Sequence, residues 1–350
     1  MPQAVVHFLV IERAIKELHP SLWAEHYSFA ALGAFAPDMF YAQDGIIGKD
    51  PFFYSLANKM HEAGALDCYC KLLNAVKKET DINARQSLKA FAYGYCAHML
   101  TDIVFHPFVY RITGDHWHTH LPEANYESHK SVETFLDHYL LALETSSDIK
   151  KLSNHFTVCC NNNNILSAKI YDVLNKIIND IYAPLFAHDI AAKQAWHKYF
   201  EAIPICVPAH PIRQAVQIYC NSIAKLYKLE DKVPQIFGIT REEWTNTEHR
   251  QWWPLGVNAS PSYSAPELFK MAVKATKNAV EESKAFLNSD EPDARSFFNL
   301  HRILYLNEEY NLDTGLPSAG NEASENLSPD TAVRFAHGVE KLIANYELLR

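Results

Sequence analysis

Between residues 3 and 18, apolar side chains recur at intervals of three and four. Val6, Leu9, Val10, Ala14, Ile15 and Leu18 fall on one face, which is the period of an amphipathic helix. Residues 22–36 read as a second helix stopped by Pro37, because proline cannot donate to the ladder. Residues 42–58, with Gly45, Gly48 and Pro51, read as irregular. Helices are expected at 59–77 and 84–106, the latter ending near Pro107, followed by a loop at 111–124 and a helix at about 126–144. The asparagine run 161–164 reads as a turn. Helices resume at 165–182, 190–201 and 211–227. Trp252-Trp253-Pro254 opens a segment leading to a helix at about 265–288. The small, polar stretch 312–329 is expected to be a mobile loop, and 330–349 a last helix. Strand-like alternation is rare and no repeat is present. The fold class is therefore all-α, a multi-helix bundle. One helical domain is expected over 1–290, with 291–350 adding a loop and a C-terminal helix packed on it.

Composition narrows the function classes. Net charge is −9, which argues against a nucleic-acid backbone as the main partner. It leaves a small phosphorylated substrate open, since bound metal can reverse the local charge. The seven cysteines include no C-x-x-C pair and sit in helix-like patterns, so they read as reduced core thiols. The start, MPQAVVHFLVIERAIKEL, lacks a basic region before an apolar run, and Glu12 and Arg13 interrupt that run. No apolar run reaches the 18 residues of a membrane span. The expected location is cytoplasmic, or outside the cell by a route without a cleaved signal.

The stretch 94–108, GYCAHMLTDIVFHPF, changes the picture. A helix turns about 100° per residue, so His98, Asp102 and His106 form a ladder on one side of an otherwise apolar helix. Burying a carboxylate and two imidazoles costs several kcal/mol unless partners offset it. Further partners are at hand. His129 and Glu133 repeat the four-residue spacing, His7 lies on the first helix, Asp38 follows Pro37, and His61 sits in NKMHEAGALD. The set is His7, Asp38, His61, His98, Asp102, His106, His129 and Glu133. Nitrogen and oxygen donors of this kind suit zinc, and one ion takes about four ligands. Eight ligands imply two or three ions. Asp102, between two histidines of one helix, is well placed to bridge a metal pair of the kind used in phosphoester hydrolysis.

VVH, GAFAPDMFY, a lone histidine after a loop, GYCAHMLTDIVFHP and HKSVETFLD occur in that order. Together they resemble the zinc-dependent phospholipase C family, whose fold and metal core are similar to those of fungal single-strand nucleases. The motifs run from about residue 5 to 140, and the Trp252–Leu287 segment is also similar to C-terminal parts of cytoplasmic-type members. The resemblance implies that Asp38, His61, His98 and Asp102 hold one zinc and that His106, His129 and Glu133 hold a second. It implies that Asp102 bridges to a third, shared with His7. In secreted relatives that third ion also takes the amino group and carbonyl of an N-terminal Trp, whereas this sequence reads Met1-Pro2. The resemblance further implies that Asp38 is the general base, or orients the attacking water.

The implied activity is that of a phospholipase C, releasing a phosphorylated headgroup from a glycerophospholipid. The alternatives are a single-strand nuclease or nucleotidase of the same fold, or a metal-binding protein that has lost catalysis. Tyr41 and Tyr54 are candidate substrate contacts, since aromatic faces would favour a quaternary ammonium headgroup. Other histidines read as bland: His116, His118 and His120 as solvated loop residues, His188-Asp189 as a chance dipeptide, and Asp137 and His138 as capping or solvent-facing. Trp252 and Trp253 read as packing aromatics. No G-x-S-x-G, P-loop or G-x-G-x-x-G is present, so serine hydrolase and nucleotide-fold classes lack their motifs.

Overall fold

A computed structural model describes residues 4–45, 51–113, 124–144, 165–201, 244–249, 262–303, 305–312, 316–317, 344–345 and 347–349. Within these, side chains are described except at 4, 42–45, 51, 110–113, 124–130, 165–168, 201 and 316–317. The architecture is all-α. Its helices are α1 (Ala4–Leu18), α2 (Pro20–Ala34), α3 (Pro51–Glu62), α4 (Ala65–Lys78), α5 (Ile82–Thr113), α6 (Ala124–Leu143), α7 (Ile165–Tyr182), α8 (Ile190–Trp196), α9 (Ala265–Asn288) and α10 (Ala294–His301). A 3-10 segment spans Asp38–Gly45, and one π turn, His197–Glu201, continues α8. Sheet structure among the described residues is one antiparallel ribbon, β1 (Tyr310–Asn311) and β2 (Leu316–Pro317), with Tyr310 opposite Pro317.

α5 is the centre. Every residue from Ala90 to Val109 is buried, so this stretch of the helix has no solvent-facing side, as expected of one surrounded by others. α2 crosses it, while α1, α4 and α9 pack around the pair and α6 lies beside α1. The α2–α5 crossing is unusually close because both helices place glycine at the contact. A Cβ at Gly33 would sit 2.0 Å from the Phe91 carbonyl oxygen, and one at Gly94 would sit 2.0 Å from the Ala30 oxygen. Backbone therefore meets backbone, and the C-terminal end of α2 is delivered directly onto the middle of α5.

Several expectations need correction. Residues 42–58 are not irregular as a whole, since 51–58 open α3. Pro51 does not break a helix there but starts one, at the first position where no N–H is needed. The helix expected at 59–77 is two helices, divided at Gly64, which adopts φ +81 and would strain any other residue. α5 does not end near Pro107 but runs to Thr113, so residues 111–113 are helical rather than loop. Pro107 costs that helix a backbone bond, and burial of the residues around it lets the helix continue past it. The 190–201 helix changes to a π turn after Trp196. α10 and the β ribbon were not foreseen, and Leu312, expected in a mobile loop, is buried. The readings at 161–164, 211–227 and 252–254, and most of 313–343, lie outside the described residues.

Other expectations hold. α2 stops at Ala34 before Pro37, and α7 and α9 have the bounds expected. α9 starts with a capping box, in which the Ser264 N–H donates to Glu267 Oε2 at 2.8 Å. Cys68, Cys70 and Cys96 are free and buried. Burial pushes the Cys68 and Cys96 thiols up to about 12, so neither is a nucleophile. Among the described residues no helix is long and apolar enough to cross a membrane.

Candidate metal centre

Five helical elements converge on one point. α1 contributes His7, the 3-10 segment after α2 opens with Asp38, and the last turn of α3 contributes His61. α5 contributes His98, Asp102 and His106, and α6 contributes Glu133. All seven are buried. His129 lies one turn before Glu133 on α6, and its side chain is outside the described residues.

Asp102 is the hub. His98 Nε2 lies 3.0 Å from its Oδ2, His7 Nε2 3.2 Å from Oδ1, His61 Nε2 3.7 Å from Oδ2 and His106 Nε2 3.8 Å from Oδ1. Asp38 adds a second carboxylate, 3.2 Å from His61 Nε2 and 4.0 Å from His7 Nε2. Glu133 Oε1 stands 3.2 Å from His106 Nε2 at the far end. Two ligands each about 2.0–2.1 Å from a tetrahedral zinc stand about 3.3 Å apart. The observed separations scatter around that value. Two groupings, His7 with Asp38 and His98, and His61 with His98 and Asp102, each bring one donor atom per residue within 4.8 Å of the others.

Three histidines are oriented by main-chain carbonyls. His98 Nδ1 donates to the Ala34 oxygen at 2.9 Å, His61 Nδ1 to Ala57 O at 2.8 Å, and His106 Nδ1 to Leu312 O at 2.5 Å. A carbonyl can only accept, so Nδ1 carries a proton in each ring. Each Nε2 is turned toward the carboxylates, and in the neutral ring it is the atom left with a lone pair. This is the arrangement that fixes a zinc-binding tautomer.

Part of the centre is not satisfied by hydrogen bonds. Both ring nitrogens of His7, His98 Nε2 and both oxygens of Asp102 lack a hydrogen-bonding partner in geometry, despite approaches near 3 Å. Buried polar atoms left this way cost free energy unless something else coordinates them. Burial, with the charge of His98 added, lowers the pKa of His7, and Asp102 and Asp38 offset this only in part. His7 is thus neutral at pH 7, as a ligand must be. Burial acts to raise Asp102, but His98, His106 and His7, wherever they carry a second proton, outweigh it and hold the carboxyl well below its usual range. Nitrogen and carboxylate donors with unused lone pairs, at these separations, fit zinc.

A family model described as zinc dependent phospholipase C matches residues 6–183, just over half of the chain. The chain belongs to the zinc-dependent phospholipase C family. No curated protein and no solved structure matches it. The match covers His7, Asp38, His61, all three polar residues of the α5 ladder, His129 and Glu133. This phospholipase C-family chain thus has a potential metal-binding cluster in an enzyme family that depends on zinc.

The remaining candidates separate cleanly. Tyr41 and Tyr54 meet edge to face with centroids 5.5 Å apart, and the Tyr41 ring is 5.5 Å from that of His61. Tyr41 Oη donates to Asn58 Oδ1 at 2.9 Å, while Tyr54 is 38% exposed. Asp189 has a structural role, accepting from the Ala192 N–H at 3.0 Å as the cap of α8. Asp137 is a cap of an unusual kind. From α6 it accepts from the Val6 N–H at 3.0 Å and the Val5 N–H at 3.3 Å, clamping the first turn of α1 that carries His7. His116, His118, His120, Trp252 and Trp253 lie outside the described residues. Sequence reading missed Ala34, Ala57 and Leu312. They act through main-chain oxygens, which no side-chain pattern reports.

Proposed function

We propose that this chain is a phospholipase C acting on glycerophospholipids. In this reading His7, Asp38, His61, His98, Asp102, His106, His129 and Glu133 hold two or three zinc ions. The observation that supports it best is Asp102, a buried carboxylate faced by four imidazole nitrogens whose opposite ring atoms are in three cases fixed by carbonyls. Such a carboxylate can bridge two ions. Bound zinc supplies Lewis-acid polarisation of the phosphoryl oxygens and offsets the charge that builds on them.

The chain's own groups do the rest. Asp38 takes the proton from the attacking water, or aligns that water, as its oxygen attacks phosphorus. The bond from phosphorus to the glycerol oxygen then breaks, and that oxygen takes up a proton, from Asp38 or from solvent, giving diacylglycerol and a phosphorylated headgroup. Asp38→Asn keeps the shape and one oxygen ligand while removing the base. It should lower kcat by about two to four orders of magnitude while most zinc stays bound. Loss of all zinc in this variant would leave the base assignment without support. Tyr41 and Tyr54 form an aromatic corner beside His61, suited to a quaternary ammonium headgroup. Tyr41→Ala and Tyr54→Ala should each erode a preference for choline over ethanolamine, and an unchanged ratio in both would remove this role.

The deciding experiment is phosphorus NMR of zinc-loaded protein with short-chain phosphatidylcholine, phosphatidylethanolamine and phosphatidylglycerol together. A free phosphorylated headgroup is the expected product and names the preferred lipid. Unchanged lipid signals with zinc verified in place would reject the lipid reading and turn the search to nucleotides.

A further inference from the structure

The segment Tyr305–Leu312 lies far beyond the family match, which ends at residue 183. It nonetheless reaches the centre. Tyr305, Leu306, Tyr310 and Leu312 are buried, and Tyr305 and Tyr310 pack edge to face at 5.4 Å. Glu309 Oε1 accepts from the Leu66 N–H at 2.9 Å, satisfying the first turn of α4, where Gly64 supplies no side-chain cap. Three residues later the main chain of Leu312 makes two bonds. Its N–H donates to the His61 carbonyl at 2.7 Å, and its carbonyl accepts from His106 Nδ1 at 2.5 Å.

We propose that Tyr305–Leu312 is a positioning strap for the metal centre, in which the Leu312 main chain ties His61 to His106 and fixes the His106 tautomer. The inference rests on the zinc reading above. A clip serving only the fold would need no more than the Glu309 contact at α4 and the buried side chains. The Leu312 carbonyl goes further, because it decides which nitrogen of a buried imidazole holds the proton. It also ties together two histidines of the cluster that sit on separate helices, α3 and α5. Leu312 is thus a positioning residue acting through His106, not a group that touches substrate.

The test separates the Leu312 main chain from its side chain. An ester replacing the amide between residues 312 and 313 weakens the carbonyl as an acceptor and leaves the leucine side chain intact. Leu312→Ala removes the side chain and keeps both backbone groups. Nitrogen NMR of the imidazoles in zinc-free protein reports the tautomer, and chelator competition reports zinc affinity. The ester is expected to lose the single Nδ1–H form of His106 and to weaken one zinc equivalent by about 10–100-fold, the usual cost of removing an outer hydrogen bond to a ligand. Leu312→Ala is expected to lower the Tm while keeping that tautomer and affinity. An ester protein with unchanged tautomer and zinc affinity, altered only in Tm, would overturn the proposal. If the unmodified protein bound no zinc at all, the metal reading would fail, and the strap would still be judged by the tautomer. Loss of the Nδ1–H form in the ester would support it, and persistence would reject it.

Discussion

The two ends of the buried cluster are held in different ways. At one end, His61 is anchored four residues back on its own helix at Ala57, and His98 is anchored at Ala34, where α2 meets α5. Both anchors belong to the stretch the family model covers. At the other end, His106 is anchored by Leu312, 206 residues further along the chain, and faces Glu133 on α6. At the first end the ring orientations are set within the helices of that stretch, and Leu312 reaches it only at the His61 main chain. The second waits on a late segment that must return and dock. Two parts of one buried cluster can therefore differ in how much of the chain they need.

The strongest way to break this contrast is at the α2–α5 contact. Gly94→Ala places a Cβ 2.0 Å from the Ala30 oxygen, so the helices must separate. A stability loss of about 3 kcal/mol or more is expected, at the upper end of overpacking costs. Zinc binding at the His98 end should go with it, seen as a lower Tm and reduced zinc content. A protein with native Tm and full zinc would show that the close crossing does not set that end.

Asp102 joins the two ends, and its removal sharpens the comparison. Asp102→Ala should reduce zinc content and lower kcat/KM by at least about a hundredfold, since losing even an outer-shell partner costs up to that much. Elemental analysis beside the phosphate-release assay checks it, and loss of zinc from one end only would argue against a shared carboxylate.

The smallest effect is expected at Asp137, which ties α6 to α1. Asp137→Ala should cost about 1 kcal/mol, the usual worth of a helix N-terminal cap. Its pH dependence gives a second readout. Burial pushes the Asp137 carboxyl up to about 8, against the pull of the Val6 and Val5 N–H groups. The folded chain then keeps a proton that the unfolded chain releases above about 4. This contribution is full at low pH and falls as pH rises from about 4 through about 8. Asp137→Asn, neutral throughout, should lack that slope when its urea midpoints are set against those of the unmodified protein, and parallel curves would refute it.

Much of this was legible in the residue order. The three-and-four spacing of apolar residues gave α1, α7 and α9, and the four-residue ladder on α5 placed three polar groups on one face. Pro51 and Pro107 misled, because a proline's effect depends on its place in a helix and on what surrounds it. Pro51 sits where no donor is needed, and Pro107 lies in a helix held by burial on every side. Local periodicity and residue chemistry therefore gave several of the helices, the polar residues that meet in the core and the family. Only the tertiary structure decided which nitrogen of His98 and of His106 faces inward, because the carbonyls of Ala34 and Leu312 make that choice. A main-chain carbonyl is present in every residue, so its role is set by where folding brings it and not by the side chain it belongs to.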